Sequence, residues 1–185
     1  MLSDEEIAVR VQKGDTDAFG EIVERYAKKL ERYARKFLFD RDDSDDLVQE
    51  VFIKAFINIQ SFTVTRRFSP WLYRIAHNEF MNALQARKRH ALPFFDPDTL
   101  FPHPVAQETA DQETNILDLR NTLDRCLDKI DAKYREVLVL HYFEELDYQE
   151  IADVLHIPVS TVGVRLLRGR SLLQKLYAEK YHSHE

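Results

Sequence analysis

Asp147-Tyr-Gln-Glu-Ile-Ala-Asp-Val-Leu-His-Ile-Pro-Val-Ser-Thr-Val-Gly-Val-Arg-Leu-Leu-Arg-Gly-Arg170 is the stretch that decides the fold. Asp147 followed three residues on by Glu150 is a capping-box pattern, and it opens a short helix with Ile151, Ala152 and Leu155. His156-Ile157-Pro158 reads as a tight turn, and a basic helix follows from about Val159 to Tyr181. Short helix, turn, basic helix is the order of a helix-turn-helix. Small Ala152 permits a close crossing, and Ile151, Leu155, Ile157, Val162 and Leu166 fill the space between the two helices, with Leu173 also inward. Thr161, Val164, Arg165 and Arg168 fall at i, i+3, i+4 and i+7 and share a stripe that fits a major groove. Ser160 and Thr161 lie at the helix N-terminus, where backbone N–H groups favour a phosphate. The competing description is a helical hairpin with solvated arginines, which does not require this order of parts.

Working outward, helices precede this motif. Thr114 opens one carrying Ile116, Leu119, Leu123 and Leu127, and another carries Tyr134, Val137, Leu138 and His141, the last as a satisfied core residue. Further upstream, Pro93 to about Glu113 holds four prolines, several acids and no periodicity, which predicts a linker. Before it, Ser3 with Glu6 caps a short helix, and Asp15 or Thr16 opens a longer one through Phe19, Ile22, Val23, Tyr26, Leu30, Tyr33 and Phe37, broken by the acidic run Asp40–Asp46. A third helix turns Leu47, Val48, Val51, Phe52, Ala55, Phe56 and Ile59 inward. After a loop at Ser61–Arg67, Ser69-Pro70 starts a fourth that runs to about Arg89. No segment alternates as a strand does. The expected fold is all-α, in two helical domains: residues 1–91, a linker at 92–113, and residues 114–185.

Composition narrows the class. Four Gly and six Pro in 185 residues suit long helices, and a single cysteine, Cys126, excludes an internal disulfide and a multi-Cys zinc site. The N-terminus is acidic rather than signal-like, and no stretch approaches the ~20 apolar residues of a membrane span. A reducing cytoplasm is the expected location. The net charge of −6 argues against indiscriminate coating of nucleic acid. It hides an asymmetry: Arg66–His90 has six bases and one acid, whereas Ala91–Asp131 has nine acids and three bases. Local contact with DNA and a different contact elsewhere fit this pattern.

Two further segments carry chemistry. In Ser61–His90, Phe62, Trp71 and Tyr73 interleave with Arg66, Arg67, Arg74, Asn78, Asn82, Arg87 and Lys88, a mixture that suits stacking on unpaired bases and gripping a backbone; core packing and a solvated helix end explain the same residues equally well. In Asp42–Lys54, the acids suit a helix N-terminus, and Asp46, Gln49, Glu50 and Lys54 make a polar face. Aspartates 42, 43 and 46 also mimic a Mg²⁺-binding motif of isoprenoid synthases, but no second acidic motif accompanies them.

Together these segments resemble the extracytoplasmic-function group of sigma-70-like factors. Asp45-Asp-Leu-Val-Gln-Glu-Val-Phe-Ile-Lys-Ala-Phe56 resembles region 2.2, which implies a surface of Asp45, Asp46, Gln49, Glu50 and Lys54 docking on the polymerase β′ clamp helices. Phe68-Ser-Pro-Trp-Leu-Tyr-Arg-Ile-Ala-His-Asn78 resembles regions 2.3–2.4, which open and read the −10 element. Tyr134-Arg-Glu-Val-Leu-Val-Leu140 and Asp147–Arg170 resemble regions 4.1 and 4.2, which read the −35 element and meet the β flap. The implied function is delivery of core RNA polymerase to promoters, with no catalytic residue, metal, cofactor or small-molecule substrate, and with room for an anti-sigma partner. The chain departs from the family where Gly163-Val164 replaces a basic residue and Ser, and where Gly169 replaces Ala. The alternatives are a helix-turn-helix regulator that does not bind polymerase, and an enzyme, for which no Ser/His/Asp grouping, metal spacing or phosphate loop is apparent.

Overall fold

The computed structural model describes residues 2–35, 41–90 and 116–182, with side chains at 41–43, 87–90, 116–121 and 180–182 left aside. The linker expected at 92–113 lies outside them. Among the described residues there are eight α-helices and no strand: α1 Asp4–Gln12, α2 Phe19–Arg35, α3 Arg41–Ile57, α4 Phe68–His90, α5 Ile116–Asp128, α6 Ala132–Tyr142, α7 Tyr148–Leu155 and α8 Val159–His182. Helices α1–α4 pack into one bundle and α5–α8 into another.

The first bundle follows from its apolar spacing. Phe19, Ile22, Tyr26, Leu30 and Tyr33 of α2 are buried at helical intervals against Val48, Val51, Phe52 and Ala55 of α3 and Leu72, Ala76 and Phe80 of α4. Each Val, Leu, Ile or Phe side chain among them contributes roughly 1.5–3 kcal/mol by leaving water. Both reciprocal bonds of the Ser3–Glu6 capping box form.

Three sequence expectations change here. The long helix does not open at Asp15 or Thr16: Asp15 caps a 3-10 turn at Thr16–Ala18, and α2 begins at Phe19. The acidic run does not break the chain through Asp46, because α3 already begins at Arg41; negative charge in the first turn of a helix is favourable, so the acids start a helix as readily as they end one. Helix α4 begins at Phe68, so Ser69 is not its cap. The carboxylate of Glu5, from α1, instead accepts the Phe68 N–H at 2.9 Å, while the Phe68 ring packs against Phe62 and Trp71. On α3, Phe56 is half-exposed at the rim, edge-on to Phe19, and Ile59 lies beyond α3 in a buried 3-10 turn.

The second bundle is built around α8. Ile151, Ala152, Leu155, Val162 and Leu166 are buried together, and Ile157 and Leu173 pack against them. His156 takes the left-handed conformation (φ 53°) that turns the chain between α7 and α8. The Asp147–Glu150 capping box forms. His141 is satisfied by the Leu146 carbonyl through Nδ1 at 2.9 Å. Arg135, buried, spans the end of α5 by donating to the Asp128 and Ile130 carbonyls. Those carbonyls lack intrahelical partners, so the guanidinium acts as a C-terminal cap.

Candidate nucleic-acid interface

The loop between α3 and α4 is held from below by a residue of α1. The Gln12 side-chain amide donates to the Ile59 carbonyl at 2.8 Å and the Phe62 carbonyl at 2.9 Å, while Gln60 donates back to the Gln12 carbonyl. The clamp leaves Arg66 and Arg67 exposed at the loop tip. Loop and helix, with Glu150 and Asp153 of α7 on the facing side, frame a groove of about 570 Å³ that brings together Phe62, Arg66, Arg67, Trp71 and Arg74. Trp71 is partly buried, its ring 5.4 Å from Phe62. Arg74, Asn78 and Asn82 follow at four-residue steps along α4, so one face carries the guanidinium and both exposed amides.

Two residues expected on this surface belong to the core. Phe62 is only 4% exposed and Tyr73 only 1%. Phe62 wedges between Phe68 and Trp71, and the Tyr73 ring meets Tyr26 and Tyr33. Tyr73 lies one position from Leu72 and three from Ala76, on the buried stripe of α4, and this register decides its fate. Arg87 and Lys88 fall on the last turn of α4, where their side chains are outside the described set.

On α3, Asp45, Asp46, Gln49 and Glu50 are exposed. Lys54 is not a free member of this face, because its ammonium pairs with Glu79 of α4. Ile53 and Ile57, which the sequence reading did not single out, are exposed beside it at 52% and 69%.

On α8, Ser160, Val164 and Arg168 are exposed and Thr161 and Arg165 partly so, all on the side away from buried Val162 and Leu166. The arginine stripe therefore faces solvent. Gly169 is explained by packing: a Cβ there would lie 3.1 Å from Leu138 Cδ1 and 3.3 Å from the Tyr134 carbonyl, so glycine lets α8 approach α6.

The two bundles also meet. Glu136 accepts from the Tyr33 hydroxyl at 2.9 Å and lies 2.7 Å from His77 Nδ1. Glu144, whose side chain is fully buried, accepts from the Tyr73 hydroxyl and from Arg32 at 2.6 Å. Burial, followed by the charge of these carboxylates, pushes the Tyr33 and Tyr73 hydroxyls well above the ordinary tyrosine range. Arg67 is bridged by both oxygens of Glu150. The sequence reading missed Glu136 and Glu144; an acid on the apolar stripe of α6 beside Val137 was the available signal.

Models of Sigma-70 region 2 and of Sigma-70, region 4 match residues 22–90 and 120–173, so both surfaces fall within matched segments. The ECF RNA polymerase sigma factor SigW of Bacillus subtilis (strain 168) is 38% identical over 174 residues, covering 90% of this chain and 92% of its own. The chain belongs to the extracytoplasmic-function sigma factors of the sigma-70 family. The ECF RNA polymerase sigma-E factor of Escherichia coli (strain K12) is 34% identical, covering 93% of each chain. Among solved structures, the sigma factor RpoE in complex with the anti-sigma factor NepR from Bartonella quintana superposes with a TM-score of 0.70 at 26% identity, over 85% of this chain and 95% of that one. CnrH in complex with the cytosolic domain of CnrY gives 0.67 at 28% identity, over 95% and 97%. As a sigma factor, the protein directs core RNA polymerase to promoters for transcription initiation. Among the described residues, no helix of this sigma factor is long and apolar enough to cross a membrane, and no group of three or more His, Cys, Asp or Glu could hold a metal ion.

Proposed function

We propose that residues 1–91 form the part of this sigma factor that binds core polymerase and opens the −10 element, that 92–113 connect, and that 114–185 read the −35 element. The protein works in the cytoplasm as a binding factor without a reaction of its own. Core polymerase docks on the exposed Asp45, Asp46, Gln49 and Glu50 of α3, the face that by family resemblance meets the β′ clamp helices, with Ile53 and Ile57 as its apolar centre. The β flap meets residues 114–185, again by resemblance. Opened −10 bases enter the groove beside Trp71, where Arg66, Arg67 and Arg74 meet phosphates, and further along the same face of α4 Asn78 and Asn82 hydrogen-bond the exposed edge of a base. On α8, the N-terminal turn with Ser160 and Thr161 takes a phosphate, Arg165 positions the duplex, and Arg168 reads a guanine edge. An anti-sigma protein is a further partner, in keeping with the complex recorded for the Bartonella quintana relative.

The observation that carries this reading is that Arg66 and Arg67, on the loop held by Gln12, meet Trp71 and Arg74 of α4 in one groove, with Asn78 and Asn82 exposed further along the same helix face. The test is initiation on matched templates with a closed or a pre-melted −10 segment. Asn82→Ala is expected to depress open-complex formation on the closed template and to spare most of it on the pre-melted one, with core affinity unchanged. Equal loss on both templates removes Asn82 from strand opening.

A further inference from the structure

Helix α8 contains two glycines, and packing accounts for one of them. Gly169 lets α8 approach α6. Gly163 has no such reason. A Cβ there would meet only the Tyr148 ring, 3.7 Å from Cε2, which is ordinary van der Waals contact. Glycine inside a helix is disfavoured against alanine, and it is retained where another backbone or a ligand comes close. Gly163 lies one turn into α8, at the position where the family carries a basic residue.

The surroundings of Gly163 are apolar. Val164 follows it and is half-exposed. Leu167 stands one turn on and is 70% exposed, more than any other large apolar residue among the described ones. A helical side chain leans toward the N-terminus and covers the turn before its own Cα. The Leu167 side chain therefore lies over the turn of Gly163 and Val164, and the glycine leaves the space beside it open. Tyr148, half-exposed and edge-on to His141 at 5.3 Å, borders Gly163 from α7. Ser160, four residues before Val164, and Arg168, four after it, are exposed on the same face. The apolar side chains thus stand within the polar surface assigned to the duplex. In the major groove, the apolar group that a base edge presents is the C5-methyl group of thymine.

We propose that Val164 and Leu167, with the open space at Gly163, take the C5-methyl group of a thymine in the −35 element. Leu167 is then a specificity-determining residue beside Arg168, and this chain prefers an A·T pair at the position it meets. This rests on the −35 assignment above.

The test uses the full-length protein with core polymerase, on a promoter whose −35 element is defined by mapping its transcript starts. Each −35 thymine, on either strand, is replaced singly by uracil, which removes the methyl group and keeps every hydrogen-bonding group of the base. Templates compete for limiting holoenzyme. Uracil at one position is expected to lower occupancy about fourfold, the worth of one methyl group leaving water. Leu167→Ala, at an exposed site, is expected to lower occupancy of the thymine template by a similar factor and to abolish the difference between thymine and uracil. Gly163→Ala, which fills the space while favouring the helix, is expected to raise the melting temperature and yet reduce the thymine preference. An undiminished uracil effect in Leu167→Ala places that effect in DNA stiffness and overturns the proposal, as does an element with no thymine. A template with a scrambled −35 element separates the two readings. Occupancy unaffected by scrambling removes the −35 assignment and the methyl site with it; loss on scrambling without any uracil effect removes the methyl site alone.

Discussion

Arg165 and Arg168 sit one turn apart on the same helix but differ in exposure, and the roles proposed for them differ accordingly. Arg168 is exposed, and Arg165 is partly covered. Arg168→Ala is expected to cost about 1–3 kcal/mol of −35 affinity and to relax preference at one or two base pairs. Arg165→Ala is expected to weaken all −35 variants alike and to flatten the salt slope by about one. Titrations across a −35 variant series with holoenzyme distinguish them, and a uniform loss for Arg168→Ala makes it a phosphate clamp only. At Gly169 two effects compete. Alanine gains about 1 kcal/mol of helix propensity, but crowding Leu138 and the Tyr134 carbonyl costs about 1–3 kcal/mol. The carbonyl is backbone and yields little, so Gly169→Ala is expected to lower the melting temperature; a rise means that α6 moves away freely.

Elements were legible where side chain and backbone carry the same message. The Ser3–Glu6 and Asp147–Glu150 boxes, the α7–turn–α8 order and the buried stripe of α2 follow from local spacing. Features set by partners distant in sequence were not legible. Glu5 caps α4 across 63 residues and Gln12 holds the loop across 47 and 50, so the start of α4 and the loop shape needed the tertiary fold. Aromatic residues are ambiguous for the same reason: Phe62, Trp71 and Tyr73 suit a base-stacking surface and a core equally, and only the register of α4 sends Tyr73 inside, while the loop seats Phe62 between Phe68 and Trp71. The loop clamp gives an element-scale test. Gln12→Ala removes the side-chain donor to the Phe62 carbonyl and one of two donors to the Ile59 carbonyl, which keeps the Phe62 N–H, so it is expected to slow open-complex formation while core affinity and overall helicity stay unchanged. Unchanged opening kinetics release the loop from dependence on α1. On α3, Asp46→Ala/Glu50→Ala is expected to weaken core binding with no change in helicity, since both positions are exposed; truncating such a contact costs ~2–5 kcal/mol where it is paired and desolvated across the interface. Unaltered core affinity excludes this face.

Across the whole molecule, the buried tyrosines link stability to alkaline pH. Tyr26, Tyr33 and Tyr73 all have hydroxyls raised above the ordinary value of 10.0, chiefly by burial, with neighbouring carboxylates adding to it. A raised folded-state value stabilises the neutral form, so the contribution is full below pH 10 and is lost as the pH climbs beyond it. Of the eight tyrosines, these three are expected to ionise only as the structure opens, seen as a late tyrosinate absorbance step coincident with loss of helical signal. Smooth ionisation of all eight before any unfolding contradicts the buried contacts. The central claim, that this chain directs core RNA polymerase to promoters through two reading surfaces, is tested most directly by transcription. Purified protein is added to core polymerase on fragmented genomic DNA, and transcript 5′ ends are sequenced. A discrete set of starts is expected, absent with core alone, each preceded by shared −10 and −35 elements at a fixed separation. Starts no different from those of core alone would contradict the central claim.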